Sequence, residues 1–247
     1  MRILLRPRCE EVHPDEVPGR TAIAIDVIRA TTTIPIALAA GCRGILPVAT
    51  VEAAHAMART LPGGPALLAG ERGGLRIPGF DLGNSPREYS SETVGGKWLV
   101  FTTSNGTRTI DALRGSGQVA VASFVNVEAV SRWALAEGRD VLVVCSGENG
   151  KIALEDCACG GVIVERLEAL APGCVVFDPT AREAKLVAHK AVGNLQRFLE
   201  ETKSGQHIIG LGLGADLEVC ARLDSVPVVP RLSGGILTLG SRGDACH

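Results

Sequence analysis

The sequence has few aromatic residues, with two tryptophans, one tyrosine and five phenylalanines among 247 residues. A core with so few large rings must be filled by alanine, valine, leucine and isoleucine, and hydrophobic residues make up 46% of the chain. This is enough to bury one substantial core, which excludes a disordered protein. The 30 glycines indicate many tight turns, and together these features are typical of α/β folds.

An excess of either charge sign is also missing, as is any long apolar run. The formal net charge is -2, and no polybasic segment provides a footprint for nucleic acid. Charged residues interrupt every apolar stretch before it reaches the ~20 residues needed to cross a bilayer. The short apolar run near the start lies between Arg2 and Arg6 and cannot form the core of a signal peptide. We therefore predict a cytoplasmic protein with no nucleic-acid or membrane partner.

Metal-binding spacings of cysteine and histidine are absent as well. The eight cysteines include no Cys-x-x-Cys pair, and the closest spacing is Cys157-x-Cys159. The five histidines are likewise scattered along the chain. In the cytosol we expect the cysteines to be reduced thiols, mostly buried, and not ligands of zinc.

What the sequence does contain is an alternation of short β-branched runs with helical patterns. Strands are predicted at 21–26, 44–48, 66–69, 98–102, 118–122, 141–145, 207–210, 226–229 and 236–239. Helices are predicted at 33–40, 51–61, 107–113, 127–137, 154–170, 181–203 and 216–223. This order predicts a layered α/β/α fold with a mixed, largely parallel sheet, in a single domain that spans residues 1–247. A glycine-rich passage at 63–83 is too long for a tight connection, so we interpret it as a functional loop.

Four loops that follow predicted strands carry side chains suited to an anion site. In open α/β sheets, the carboxyl ends of strands and the following helix N-termini face one crevice that favours anions. In chain order, the loops carry Asp26, Arg29, Thr31 and Thr32; Glu71 and Arg72; Asn105, Gly106, Thr107 and Arg108; and Lys151, Glu155 and Asp156. Threonine and asparagine also cap helices without a ligand, so one loop alone indicates little. Together, acids beside several anion binders suit a hard cation and an oxyanion substrate.

Seven short segments also form a pattern as an ordered set that covers roughly residues 20–230. They are 25–33 (IDVIRATTT), 70–74 (GERGG), 79–86 (GFDLGNSP), 102–108 (TTSNGTR), 123–126 (SFVN), 153–156 (ALED) and 223–230 (LDSVPVVP). In this order they resemble the 2-phosphosulfolactate phosphatase (ComB) family, although no single segment would suffice. The resemblance implies Mg²⁺-dependent hydrolysis of 2-phospho-3-sulfolactate to 3-sulfolactate and phosphate, on the route to coenzyme M or related sulfonates.

The resemblance and the loop chemistry together suggest a role for each candidate residue. Asp26, Glu71, Glu155 and Asp156 are candidate Mg²⁺ ligands, with Asp224 a weaker one, and Asp26, Arg29 and Glu155 are the candidate catalytic residues. The predicted substrate-binding residues are Thr31, Thr32, Arg72, Asn105, Gly106, Thr107 and Arg108. Asp26 has two alternative roles, because it could hold the metal and orient water or attack phosphorus itself. We expect a small anionic phosphoester as the ligand and a homodimer as the assembly.

Two functions of other classes remain open from the sequence. Residues 210–215 (GLGLGA) fit a dinucleotide fingerprint between a predicted strand and a predicted helix, which would indicate an oxidoreductase. The same arginine-bearing loops would also serve a non-catalytic sensor of small anions.

Overall fold

A computed structural model describes residues 1–61 and 66–240 of the chain. Its strands are β1 (Arg2–Arg6), β2 (Thr21–Ile25), β3 (Gly44–Pro47), β4 (Ala66–Arg72), β5 (Leu75–Arg76), β6 (Trp98–Thr102), β7 (Gln118–Ala122), β8 (Val141–Cys145), β9 (Val176–Phe177), β10 (Arg231–Ser233) and β11 (Ile236–Thr238). Its helices are α1 (Ala30–Ala39), α2 (Val51–Ala58), α3 (Ser91–Val94), α4 (Gly106–Ala112), α5 (Val127–Ala136), α6 (Leu154–Leu170), α7 (Pro179–Val192), α8 (Leu195–Glu201), α9 (Lys203–Gly210) and α10 (Ala215–Cys220).

The strands form one mixed sheet in the order β5-β4-β6-β3-β11-β10-β7-β2-β8-β1-β9. One parallel set comprises β4, β6 and β3, and a second comprises β7, β2, β8, β1 and β9. The antiparallel hairpin β10–β11 lies between them, with β10 on β7 and β11 on β3. Its two-residue turn needs positive φ at both positions, which Gly234 (57°) and Gly235 (83°) supply. This hairpin thus joins the two parallel sets into one sheet.

Helices cover both faces of the sheet. Alternate residues of a strand point to opposite faces, so a central strand is then buried on both sides. All five residues of β2 are buried. Ile23 and Ile25 join an apolar cluster with residues of α5, α6 and α7, whereas Ala22 and Ala24 join a second cluster with residues of α1 and α4. The predicted layered α/β fold is confirmed. No helix of the described residues is both long and apolar enough to cross a membrane.

Seven of the predicted strands are present, and those at 98–102, 118–122 and 141–145 have the predicted bounds. The strand predicted at 207–210 is wrong because this segment ends helix α9, which Thr202 caps by accepting a hydrogen bond from the Gly205 N–H at 3.1 Å. The dinucleotide fingerprint at 210–215 therefore follows a helix and lacks the strand that it requires. The strand predicted at 226–229 is also wrong, since Pro227 and Pro230 remove backbone donors from this stretch.

The long helix predicted at 181–203 is two helices, α7 and α8. Asn194 starts the second one, because its side chain accepts a hydrogen bond from the Arg197 N–H at 3.0 Å. Four strands were not predicted: β1, β5, β9 and β10. Within the glycine-rich passage 63–83, residues 63–65 lie outside the described residues, and much of the remainder forms β4, β5 and their turn at Gly73 and Gly74.

Candidate active site

A cavity of about 450 Å³ lies at the carboxyl ends of strands from both parallel sets. The loops after β2 and β8 contribute Asp26, Arg29 and the segment 147–149, and α6 adds Glu155 and Asp156. The other set supplies Glu71 at the end of β4, and Ser104 and Asn105 after β6. The structure therefore brings together four acids that the sequence analysis selected from three separate segments.

Asp26 directly follows β2, and its carboxylate is buried beneath two helix starts. It accepts hydrogen bonds from the backbone N–H groups of Ala30 and Gly106, at the beginnings of α1 and α4. Burial, followed by the charges of Glu71 and Glu155, raises the pKa of Asp26 to about 7. A carboxyl group with this pKa exchanges its proton readily at neutral pH, as a general base or acid must.

Glu155 lies in the first turn of α6 and is only 3% exposed. Its carboxyl is hydrogen-bonded to the side chains of Ser204 and Thr202, near the start of α9. Burial raises the pKa of Glu155, and these two hydroxyl groups oppose that rise. The region from Thr202 to Ser204 therefore fixes one wall of the cavity.

Asp156 ties two strand-end loops together. One carboxylate oxygen accepts the Val27 N–H at 2.8 Å, and the other accepts the N–H groups of Ser146 at 3.2 Å and Gly147 at 3.3 Å. Burial, with the nearby charges of Asp26 and Glu155, raises the pKa of Asp156 well above its ordinary value. Because both oxygens are engaged, Asp156 holds the loops after β2 and β8 in register.

Glu71 performs a similar task in the other parallel set. Its carboxylate accepts the Ser104 N–H and the Gly74 N–H, each at 2.7 Å, and the Ser104 hydroxyl at 3.3 Å. These bonds join the β4–β5 turn to the loop after β6. Glu71 is buried and lines the cavity, so its charge adds to the negative potential around Asp26.

Arg29 reaches the cavity from the start of α1, and its side chain is only 2% exposed. Its Nη1 donates to Asp216 Oδ2 at 2.7 Å, and its Nη2 donates to the Gly74 carbonyl. The Ser85 hydroxyl donates to the other oxygen of Asp216 at 2.6 Å. Neither Asp216 nor Ser85 was predicted as a site residue, although Ser85 belongs to the segment 79–86 that contributes to the family resemblance.

Four predicted substrate-binding residues are buried behind the cavity and do not line it. Thr31 Oγ1 accepts the Asp26 N–H at 2.8 Å, and Thr32 donates to the Val27 carbonyl at 2.8 Å. Thr107 donates to the Thr103 carbonyl at 3.1 Å, while Gly106 packs against Asp26. These residues shape the loops, and of the predicted substrate-binding set only Asn105 lines the cavity.

Arg72, Arg108 and Asp224 lie away from the cavity. The Arg72 guanidinium donates to Thr102 Oγ1 at 3.0 Å and to backbone carbonyls. Arg108 is largely exposed and pairs with Glu10 at 3.5 Å. Asp224 accepts the Glu128 N–H at 2.8 Å in another part of the molecule. The structure does not bring these three side chains to the other candidates.

Comparison with known proteins places this geometry in a family. The family model described as 2-phosphosulpholactate phosphatase matches residues 7–235. The chain belongs to this family. A probable 2-phosphosulfolactate phosphatase of Thermotoga petrophila is 38% identical, over 90% of this chain and 93% of its own length. That of Deinococcus radiodurans is 41% identical over 91% and 92%, and that of Clostridium acetobutylicum is 35% identical over 95% and 99%.

Membership in the 2-phosphosulpholactate phosphatase family confirms the predicted family and the predicted enzyme class, a phosphoric monoester hydrolase. The seven quoted segments all lie within the matched residues. Asp26, Arg29, Glu71, Glu155 and Asp156, which those segments contain, all line the cavity.

Residues that the sequence analysis did not identify also line the cavity of this family member. Lys203, Ser204 and His207 line the cavity from α9, part of which was predicted to be a strand. Lys203 pairs with Glu148 at 3.5 Å across the cavity. Asn84 also lines it, and its side-chain oxygen is buried without a hydrogen-bond partner among the described residues. The capping hydroxyl of Thr202 was the one sequence signal that could have revealed α9.

The chemistry of the acids decides which of them could hold a metal ion. Both oxygens of Asp156 and of Glu71 accept backbone N–H groups. Asp26 accepts two backbone N–H groups and Glu155 is bonded to two hydroxyls, and because a carboxylate has about four acceptor positions, both keep some for a cation. Among residues 1–61 and 66–240, no three His, Cys, Asp or Glu side chains have the geometry of a preformed metal cage. Mg²⁺ usually takes one or two carboxylates and completes its shell with water and phosphate oxygens, so this donor set fits Mg²⁺.

Proposed function

We propose that this phosphatase hydrolyses 2-phospho-3-sulfolactate to 3-sulfolactate and phosphate with Mg²⁺ as its cofactor. We further propose that it acts in the cytoplasm, on the route to coenzyme M or related sulfonates. Relatives that share 35–41% identity over at least nine tenths of the chain are named for this substrate. The observation that carries the proposal is the convergence of Asp26, Glu155 and Arg29 on one cavity.

The charges of the cavity suit such a substrate only when a cation is present. 2-Phospho-3-sulfolactate carries phosphate, carboxylate and sulfonate groups, whereas five acidic side chains line the cavity and repel it in their ionised form. Asp26 and Glu155 would hold Mg²⁺, which neutralises phosphate oxygens and polarises the phosphorus centre when bound. Arg29 and Lys203 supply positive charge for the remaining anionic groups.

The cavity residues support transfer of the phosphoryl group to water. The ester bond between phosphorus and the substrate oxygen breaks, water supplies the new oxygen on phosphorus, and the leaving oxygen gains a proton. Asp26 can orient the attacking water, of whose two protons one passes to the leaving oxygen and the other stays with the new phosphate. Arg29 donates N–H groups to the phosphoryl oxygens as charge builds on them. In the alternative route, Asp26 attacks phosphorus and water then hydrolyses the aspartyl phosphate.

Phosphate release tests the proposal directly. We expect wild-type protein to release phosphate from 2-phospho-3-sulfolactate only with Mg²⁺, and Asp26→Asn to lower kcat by about 100-fold to 10,000-fold. Asp224→Asn is the matched control, because Asp224 lies outside the cavity and should retain wild-type turnover. Undiminished activity of Asp26→Asn would contradict the assignment. Saturable binding without turnover would indicate the anion sensor instead.

The two routes for Asp26 differ in the stereochemistry at phosphorus. Direct attack by water inverts a chiral phosphoryl group, whereas an aspartyl-phosphate intermediate gives two inversions and net retention. Acid quench of protein with phosphorus-labelled substrate adds a second measurement, since only the covalent route leaves label on the protein. Inversion together with unlabelled protein would exclude Asp26 as the nucleophile.

A further inference from the structure

Arg29 forms an ion pair with a residue far away in the sequence. The pair joins the start of α1 to the first turn of α10, and the side chains of Arg29 and Asp216 are only 2% and 1% exposed. Asp216 does not line the cavity, whereas Arg29 does. The carboxylate that contacts the guanidinium therefore lies outside the set of residues that line the cavity.

We propose that Asp216, with Ser85 bound to it, is the positioning residue that holds Arg29 in its phosphate-binding orientation. This inference rests on the proposed function of Arg29. The Ser85 hydroxyl donates to Asp216 Oδ1 at 2.6 Å, and Arg29 Nη1 donates to Oδ2 at 2.7 Å. Because each carboxylate oxygen has its own partner, the plane of the carboxylate is fixed, and with it the direction of the guanidinium.

The cavity itself explains why such a device is needed. Five acids line the cavity that Arg29 also lines, so each is a rival partner for its guanidinium: Asp26, Glu71, Glu148, Glu155 and Asp156. If Arg29 paired with one of them, it would both leave its position and occupy a carboxylate required for the chemistry. Asp216 satisfies the charge of Arg29 from outside the cavity and so keeps it away from these acids.

The guanidinium retains donors for a ligand after it has made these bonds. A guanidinium has five N–H groups, and among the described residues Asp216 and Gly74 each accept one from Arg29. Two anchors on different nitrogens prevent rotation about the last side-chain bonds. The remaining N–H groups can then donate to phosphoryl oxygens. Because the side chain is already held in one rotamer, it loses less conformational entropy when the ligand binds, which favours binding.

The test compares Asp216→Asn with Glu218→Gln on the same helix. Glu218 pairs with Arg222 at 2.6 Å, but both side chains are more than half exposed and neither lines the cavity. We expect Asp216→Asn to lower kcat/KM by about 10-fold to 100-fold, as loss of a residue that orients an active-site group typically does. Glu218→Gln should retain the wild-type value. Equal activity of Asp216→Asn and wild type would overturn the inference.

A double-mutant cycle separates positioning from general support of the fold. If Asp216 acts through Arg29, Asp216→Asn should have less than about a twofold further effect in an Arg29→Ala background. Added guanidinium should restore part of the activity of Arg29→Ala, because Asp216 would bind the free cation in the same place. A positioning role would be refuted if the double variant lost activity by the product of the two single losses. It would also be refuted if guanidinium restored the activity of Arg29→Ala equally with and without Asp216.

Two further measurements make the result independent of folding and of the substrate. If circular dichroism shows that Asp216→Asn is unfolded, Ser85→Ala replaces it in the cycle. An unchanged kcat/KM in Ser85→Ala then overturns the inference. Binding of inorganic phosphate is also measured by calorimetry in magnesium buffer. Loss of phosphate affinity in Asp216→Asn supports the inference whatever the activity of the wild type. If the wild type does not hydrolyse 2-phospho-3-sulfolactate, that failure refutes only the proposed function. Unchanged affinity refutes the inference alone.

Discussion

Replacing Gly106 by alanine should displace the Asp26 carboxylate and thereby lower turnover. A Cβ at Gly106 would lie 2.6 Å from the Ala30 Cβ and 2.7 Å from Asp26 Oδ2. Ordinary contacts begin at 3.4 Å, so these groups must separate by 0.8 Å (3.4 minus 2.6) and 0.7 Å (3.4 minus 2.7). Ala30 is buried at the start of α1, and Gly106 also donates its N–H to Asp26. Either α4 moves away and loses this bond, or Asp26 moves.

A displacement of nearly 1 Å at a reacting group typically lowers turnover by about 100-fold. Overpacking of a buried contact also costs about 1 to 3 kcal/mol of folding free energy. Steady-state phosphate release and urea denaturation measure the two effects. Gly210→Ala is the matched control, because no atom outside its local helix lies within 4 Å of a Cβ there. Turnover of Gly106→Ala within about threefold of wild type, at unchanged stability, would show that the close packing on Asp26 has no role in catalysis.

Three other changes test separate parts of the site. Without divalent metal, the free energy of unfolding of the wild type should fall as the pH rises from 3.8 to about 7. In this range the raised pKa of Asp26 makes the folded state bind more protons than the unfolded chain. Asp26→Asn should make this slope shallower in pH-dependent urea denaturation, by up to about 4 kcal/mol, whereas the raised pKa values of Glu155 and Asp156 keep the rest of it. Asp156→Asn should cost about 1 to 3 kcal/mol because its amide cannot accept all three backbone N–H groups, and a lowered melting temperature would reveal this. Arg72→Ala and Arg108→Ala should leave KM within about threefold of wild type, and a large rise in KM would place these guanidiniums on the substrate.

One strand that the sequence predicted with its observed bounds is apolar along its whole length. Residues 141–145 are all buried, so a continuous β-branched run indicated the strand and its bounds. β1 was missed because its three apolar residues lie between Arg2 and Arg6, and its buried positions follow from parallel pairing with β8, almost 140 residues later. Local patterns carry no information about such distant partners.

The candidate site was predictable where a strand end or a helix start supplied an acid. Asp26, Glu71, Glu155 and Asp156 were selected and all line the cavity. Arg72 was selected for its charge and its place in segment 70–74, yet its guanidinium binds backbone carbonyls and Thr102 away from the cavity. The direction of a long side chain depends on tertiary contacts, which no spacing in the sequence encodes.

The segments that complete the site come from late in the chain. Lys203 and His207 lie on α9, part of which was predicted to be a strand because it contains a short apolar run. Asp216 lies on α10, a helix of only six residues. None of these residues is near Arg29 or Glu155 in sequence. A resemblance built on short segments identified the family but could not indicate which distant side chains meet.

The position of hairpin β10–β11 has a consequence for synthesis of the protein on the ribosome. Until residue 238 has emerged, β3 and β7 are unpaired edges of two separate parallel sheets. Exposed edges of this kind invite pairing with other chains, and late long-range pairing slows folding. We therefore expect truncation before Arg231 to yield aggregates instead of a weaker enzyme, because both β3 and β7 then lose the strand that covers their edge.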